Sequence, residues 1–180
     1  IDIDLYSAMF GIFGLAECVN LLLAYEGRDR DGEARYGHDA EADAIAVRVV
    51  ERVAELVANR PMPYCEGGGA RCYLHSQSGI DVDDNVTAGT RIPVGDEPEL
   101  LEHIATCAPH HRHFPSGVSD IFHVDETVVR NPEAMVDIIR GAFVSGMRDF
   151  TFNLDNNEFI RITGYLVRKS DLATIADHGV

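Results

Sequence analysis

The residue with the most specific chemical requirement lies near the end of the chain, in the run 159–167, FIRITGYLV. Apolar and polar residues alternate through this run as they do in a buried strand. Gly164 interrupts the alternation, and a glycine inside a strand costs stability unless the backbone must approach another group closely. A glycine bulge in an ordinary strand would explain the run without any chemistry. The alternative is a role that only the backbone of a glycine can fill.

The segment 161–166, RITGYL, resembles the radical-site signature of glycyl radical enzymes. The resemblance implies that Gly164 carries the radical. A hydrogen atom lost from a glycine α carbon leaves a delocalised radical at a carbon that must become planar, and a side chain would oppose that flattening. The resemblance also implies that Arg161, Thr163 and Tyr165 support the radical loop. Hydrogen bonds from Arg161 and Thr163 would hold its shape, and apolar neighbours would exclude water and oxygen.

The resemblance extends over most of the 180 residues. The runs 146–155 (GMRDFTFNLD) and 159–172 (FIRITGYLVRKSDL) are similar to the YjjI-like branch of the family, and 14–17 (GLAE) is similar to a helix of the related anaerobic ribonucleotide reductases. The implied fold is α/β, part of a ten-stranded α/β barrel made of two half-barrels in which a glycine loop and a cysteine loop meet. We therefore expect residues 1–180 to be a C-terminal glycyl radical domain that contains much of the second half-barrel.

The cysteines depart from the family pattern. In glycyl radical enzymes the cysteine that forms the thiyl radical lies on its own loop, several hundred residues before the glycine. Here the cysteines are Cys18, Cys65, Cys72 and Cys107, and even Cys18 precedes Gly164 by only 146 residues (164 − 18). The chain also begins without a methionine. We expect a fragment whose catalytic cysteine lies in a missing N-terminal portion of the enzyme.

The resemblance implies the cofactors and partners as well. The intact enzyme would abstract a hydrogen atom from a small-molecule substrate through Gly164 and a cysteine outside this chain. Its cofactor would be the protein-derived glycyl radical, whereas S-adenosylmethionine and an iron–sulfur cluster would be needed only in a separate activating enzyme of the radical S-adenosylmethionine class. Such an enzyme would belong to anaerobic metabolism and would be sensitive to oxygen.

Two other functions stay open. The chain could be a self-contained glycyl radical subunit that replaces the damaged part of an oxygen-cleaved enzyme. It could also be a small metal-binding module that uses Cys65, Cys72, His75 and the cluster at 110–113. The spacing of these residues matches no common zinc pattern. Exposed neutral imidazoles beside a proline turn are the simpler interpretation of the histidine cluster.

Composition excludes several classes of partner. The chain carries 30 acidic against 15 basic residues, a formal charge of −15, which disfavours binding to a phosphate backbone. The apolar segment 5–25 contains Glu17 and Asn20, which are costly inside a bilayer, so we predict a buried helix there. Four cysteines without a secretion-like N-terminal region suit a reduced compartment. We predict a cytoplasmic protein with no nucleic-acid and no membrane partner.

Periodicity and capping signals predict the elements that must position Gly164. The predicted elements are helices at 39–59, 96–108 and 131–145, strands at 70–76, 119–124 and 150–154, and a final short helix at 170–176. A turn at 155–157 connects the last predicted strand to the glycine segment.

Overall fold

The structure of the chain is a computed structural model. It describes residues 2–28, 34–76, 86–154, 159–162 and 165–171, with the backbone alone for residues 3, 160–162 and 165–167. The predicted turn at 155–157 lies outside the described residues. Of the predicted final helix only residues 170 and 171 are described, and they are helical.

Helices and strands alternate along the chain. The α-helices are α1 (Leu15–Tyr25), α2 (Ala40–Ala58), α3 (Leu100–Cys107), α4 (Thr127–Arg130) and α5 (Pro132–Val144), and short 3₁₀ helices span Ile3–Leu5, Glu66–Gly68 and Ala108–His113. The strands are β1 (Ala8–Gly11), β2 (Cys72–His75), β3 (Ile121–Val124), β4 (Thr151–Leu154), β5 (Phe159–Ile162) and β6 (Tyr165–Arg168).

Helix α2 confirms the prediction for residues 39–59. The carboxylate of Asp39 caps its N-terminus by accepting from the backbone N–H groups of Glu41 and Ala42, at 3.0 and 2.9 Å. Such a side-chain cap satisfies donors that the helix itself leaves without a partner. The helix ends at Ala58, with Asn59 as its C-cap, before Pro61. It contacts α1, β2 and the 3₁₀ helix Ala108–His113, so it is the central element of the core.

The single helix predicted for residues 5–25 is wrong in its first half. Residues 8–11 form strand β1, and α1 begins only at Leu15. Gly14 separates the two elements with a left-handed φ of +74°, which ends helical geometry on its N-terminal side. Its N–H donates to the carbonyl of Thr87 at 2.7 Å. In the part of the chain that the structure describes, no helix is long and apolar enough to cross a membrane.

The starts of α3 and α5 show how capping signals succeed and fail. The helix predicted from Asp96 begins at Leu100 instead. The Asp96 carboxylate accepts two hydrogen bonds from the Arg35 guanidinium, at 2.9 and 2.8 Å. It therefore stabilises a contact between distant parts of the sequence and does not cap the helix. Helix α5 begins at Pro132 as predicted, although the side chain of Asn131 makes no capping hydrogen bond.

Among the described residues the strands form three two-stranded sheets. The β1–β2 and β3–β4 pairs are parallel, and each is connected through helices, as parallel pairs require. The β5–β6 pair is an antiparallel hairpin. The described residues form no closed barrel, so the structure supports a mixed α/β fold but does not by itself display the expected half-barrel.

Apolar burial divides the molecule unevenly. The core joins α1, α2, β2 and α3 to the residues around β3, and Val50, Phe114 and Phe122 in it are fully buried. Around β1, by contrast, Met9 and Phe10 are 63% and 53% exposed. The end of the chain that leads to Gly164 therefore begins from a sheet of which β3 is buried and β4 is largely half-buried.

Candidate functional site

The Gly164 segment is a hairpin rather than the one continuous strand that its alternation indicates. Ile162 pairs with Tyr165 across the β5–β6 ladder, so positions 163 and 164 connect the two strands. Two-residue hairpin connections favour glycine, which provides a structural reason for this residue beside the chemical one. Gly164 and Thr163 themselves lie outside the described residues, as do the side chains of Arg161 and Tyr165. The supporting contacts expected of Arg161, Thr163 and Tyr165 therefore stay predictions.

The hairpin is attached to the β3–β4 sheet. Strand β5 contacts β4, and β4 pairs in parallel with β3, with Ile121 opposite Thr151. At the open end of the hairpin the guanidinium carbon of Arg168 lies 5.5 Å from the centre of the Phe159 ring, a cation–π contact. The hairpin thus lies next to β4, although among the described residues the two strands belong to different sheets.

A buried row of reactive side chains lines the element that packs against this sheet. His103, Cys107 and His111 follow one another at intervals of four residues along α3 and the 3₁₀ helix behind it, a spacing that places them on one face. All three are buried. The prediction of an exposed histidine cluster is therefore wrong for His110 and His111. The four-residue spacing was the sequence signal that could have identified the buried face.

The first group in this row is an ion pair at the start of β3. His103 Nε2 lies 3.1 Å from Asp120 Oδ2, and Arg91 Nε lies 3.5 Å from Oδ1. The backbone N–H of Ile121 also donates to Oδ1, at 2.8 Å. Burial alone would raise the pKa of Asp120, but the hydrogen bond with His103 and the charges of His103 and Arg91 lower it. A buried carboxylate is acceptable here because it is paired on both oxygens.

The second group centres on His111. Its Nδ1 accepts the backbone N–H groups of Val118 and Arg148, at 3.3 and 3.0 Å. A ring nitrogen that accepts carries no proton, so the neutral ring has its proton on Nε2. That Nε2–H points to Cys107 Sγ, 3.6 Å away. Burial lowers the pKa of His111 and raises the pKa of the Cys107 thiol, so both groups are neutral at pH 7.

The third group joins Tyr36 to His110. The Tyr36 hydroxyl donates to the carbonyl oxygen of Thr90 at 2.7 Å, so it accepts from His110 Nε2, 3.1 Å away. His110 Nδ1 then holds a lone pair, and it has no hydrogen-bond partner within the described residues. Burial lowers the pKa of His110 to about 3. This imidazole is therefore neutral over the physiological pH range.

The cysteines and the candidate metal ligands are dispersed. Cys18 is exposed on α1 and Cys65 is half-buried, whereas Cys72, on β2 as predicted, and Cys107 are buried in the core. Among the residues that the structure describes, no group of three or more His, Cys, Asp or Glu side chains is arranged to hold a metal ion.

The chain matches one protein family and is similar to two curated proteins. The family model described as glycyl radical enzyme YjjI-like matches residues 1–180. The chain is 48% identical over 172 residues to the uncharacterized protein YjjI of Escherichia coli K12, covering 96% of this chain and 32% of that protein. It is 40% identical over 170 residues to an uncharacterized protein of Haemophilus influenzae Rd, covering 93% of this chain and 32% of that protein. The chain thus spans about a third of the length of these curated relatives. No solved structure matches it.

Proposed function

Because the chain belongs to the YjjI-like glycyl radical enzyme family, we propose that Gly164 is the residue on which the enzyme stores its radical. The family match over all 180 residues carries this proposal, since it includes the RITGYL segment at 161–166. The hairpin supports it. Positions 163 and 164 lie in the sequence between two paired strands, which is consistent with a radical glycine on a loop.

The chemistry assigned to this chain is the storage and return of one hydrogen atom. During activation, a radical that a separate enzyme generates from S-adenosylmethionine with its iron–sulfur cluster would accept one hydrogen atom from the α carbon of Gly164. The glycyl radical then takes a hydrogen atom from a cysteine thiol, so glycine is restored and a thiyl radical remains. The thiyl radical abstracts a hydrogen atom from a small-molecule substrate. Arg161, Thr163 and Tyr165 hold and shield the loop meanwhile.

The reacting cysteine belongs, in this proposal, to a part of the enzyme outside these residues. Cys72 and Cys107 are buried in the core, and Cys107 faces His111. The matched region is only 32% of each relative's length, which leaves ample sequence for a cysteine loop and a substrate site. The chain alone is then inactive and forms the C-terminal part of the enzyme.

The proposal extends to the fold and the setting. The two parallel sheets are parts of an α/β barrel that strands outside this chain complete, because parallel sheets are normally covered on both faces and Met9 and Phe10 on β1 are not. The enzyme works in the cytoplasm under anaerobic conditions, since a carbon-centred radical on the backbone reacts with oxygen.

A second candidate is a replacement subunit for an oxygen-damaged enzyme. One contiguous hydrophobic cluster runs from Leu15 to Met147 among the described residues, which favours a chain able to fold by itself. Addition of the purified chain to an air-cleaved family enzyme separates the two candidates. Restored activity supports the replacement subunit, whereas a covalently continuous enzyme gains nothing from the addition.

Exposure of the activated, intact protein to air tests the role of Gly164. Before exposure, electron paramagnetic resonance should show a doublet. Mass spectrometry should then find a backbone cut at Gly164 and a peptide that begins near Tyr165. Gly164→Ala should abolish the doublet and the cut. The control is Gly141→Ala on α5, where an added Cβ meets nothing within 4 Å. It should leave both signals unchanged. An activated protein that survives air uncut and gives no doublet would remove the proposal.

A further inference from the structure

The buried histidines hold both strands of the β3–β4 sheet at their beginnings. His103 pairs with Asp120, the residue directly before β3. His111 accepts from the N–H groups of Val118 and Arg148, which lie three residues before β3 and β4 respectively (121 − 118 and 151 − 148). Ile121 and Thr151 are register partners. One imidazole nitrogen therefore joins equivalent positions on the approaches to the two strands.

We propose that His111 is a positioning residue for the Gly164 hairpin, and that its neutral ring makes the order of that hairpin depend on pH. The importance of such positioning for catalysis rests on the proposed function of Gly164, but the positioning itself does not. His111 acts through the β3–β4 sheet and touches neither substrate nor the radical carbon in this proposal.

The surroundings of His111 Nδ1 are tightly packed. Gly117 has a left-handed φ of +82°, and a Cβ there would lie 3.0 Å from His111 Nδ1 and 3.2 Å from the Cβ of Arg148. The Arg148 guanidinium also donates to the carbonyl of Phe114 at 3.0 Å. The backbone of Arg148 is thus fixed by the 3₁₀ helix Ala108–His113 and the residues that follow it. Loss of the Nδ1 acceptor would leave two backbone donors, one of them buried, without their partner.

Movement of Arg148 reaches the hairpin by a short path. Arg148 precedes Thr151, the first residue of β4, and β4 contacts β5. Strand β5 ends at Ile162, which pairs with Tyr165 on the other side of the Gly164 connection. Without the hydrogen bond to His111, the residues before β4 are held less firmly, and so is β4 itself. Because β4 contacts β5, local opening of the hairpin then becomes easier.

Protonation of His111 removes this support for a simple reason. An imidazolium donates from both nitrogens, and the groups that face Nδ1 are donors as well. Cys107 faces Nε2, and the carboxylates of Asp120 and Asp149 favour the charged ring, whereas burial and the charge of Arg148 oppose it. Burial is the larger influence and lowers the pKa of His111. The contact is intact at pH 7 and is lost as the pH falls through that lowered value.

Amide hydrogen exchange in the 180-residue chain tests the proposal directly. Exchange of the β5 and β6 amides is followed from pH 7 into the acid range, with the α2 amides as internal reference. His111 titration is read from its ring resonances. We expect hairpin protection to fall about tenfold relative to α2 as His111 protonates, on the order expected for loss of one or two backbone hydrogen bonds. Hairpin protection that follows α2 throughout the His111 titration would overturn the proposal.

Two substitutions sharpen the test. His111→Asn keeps an acceptor near the Nδ1 position but does not titrate, so hairpin protection should persist and lose its pH dependence. His111→Leu removes the acceptor, so protection should be low at every pH. His113→Asn, the same change two residues away on a half-buried side chain, should behave as the unsubstituted chain. If the His111 variants fail to fold, the titration of the unsubstituted chain still decides.

The test also separates this inference from the proposed function. Hydrogen exchange needs no radical, so a normal glycyl doublet combined with a pH-independent hairpin would overturn the positioning role alone. A pH-dependent hairpin in a protein that never forms the doublet would overturn the radical role of Gly164 and leave the positioning role standing.

Discussion

The two parallel sheets of this chain have the same size but are covered to different degrees. Each has two strands of four residues. In β3–β4, Phe122 and Val124 are almost fully buried, and the approaches to both strands are held by buried histidines. In β1–β2, Met9 and Phe10 on β1 are more than half exposed. Each sheet thus pairs a buried strand, β3 or β2, with a less buried one, and β1 is more exposed than β4, where Phe152 is 38% exposed.

Contact with a helix, rather than strand pairing, decides which strands are buried within this chain. Helix α3 contacts β3 and α2 contacts β2, so Cys72 and Leu74 on β2 are buried. Strand β1 pairs with β2, and Met9 on it is exposed. Ladder hydrogen bonds alone contribute little net stability, and apolar burial contributes about 25 cal/mol per Å². The stability of the fold therefore comes mainly from the helices and from the strands that they cover, β2 and β3.

The largest expected effect on stability is that of truncating a buried phenylalanine on β3. Phe122 is fully buried and stacks on Phe150, with ring centres 4.8 Å apart. Phe122→Ala should lower the free energy of unfolding by about 3–5 kcal/mol, because the cavity would be lined by packed neighbours. Phe10→Ala, the same change on half-exposed β1, should cost about 1 kcal/mol or less. Urea unfolding followed by circular dichroism measures both. Equal losses would contradict the comparison.

Acid should weaken the buried region next. The unfolded chain protonates His110 near the ordinary pKa of 6.5, but the folded chain holds that pKa at about 3. Stability from this group is therefore full above pH 6.5 and is lost as the pH falls toward 3. The loss should reach a few kcal/mol, since each pKa unit is worth about 1.4 kcal/mol. Urea unfolding at a series of pH values checks the slope.

The matched variant for this prediction is His110→Gln, which keeps a donor for the Tyr36 hydroxyl and has no charge to gain. Its stability should fall less steeply between pH 6.5 and 4 than that of the unsubstituted chain. The acidic side chains titrate in both proteins, among them Asp43, whose pKa burial raises, so their contribution cancels in the difference. Parallel pH profiles would show that His110 is not the group responsible.

The same comparison explains which features could be predicted from the sequence. Helix α2 was predictable because its cap, its apolar stripe and its terminal proline are all local signals. The split of residues 5–25 was not, since it depends on Gly14 bonding to Thr87, far along the chain. The histidines at 110 and 111 were predicted as exposed because their burial partners are remote in sequence. Gly164 was recognisable as a motif, but neither the hairpin nor its attachment to β4 followed from that motif.

Substitution on β1 should have the smallest effect on stability and a clear effect on self-association. An edge strand with exposed apolar side chains is a template for pairing with another chain, so the isolated 180 residues should self-associate. A lysine on such an edge opposes pairing without touching the core. Met9→Lys should therefore reduce self-association in sedimentation while changing the free energy of unfolding by about 0.5 kcal/mol or less.

Val94→Lys provides the control, because Val94 is 83% exposed in the loop before α3 and the substitution adds the same charge. If Val94→Lys disperses the chain as well as Met9→Lys does, the effect of the lysine is not specific to β1 and the association does not come from this strand. If the unsubstituted chain is already a monodisperse monomer, β1 needs no cover. The β1–β2 sheet would then be as complete as β3–β4, and the self-contained replacement subunit would become the better account of this chain.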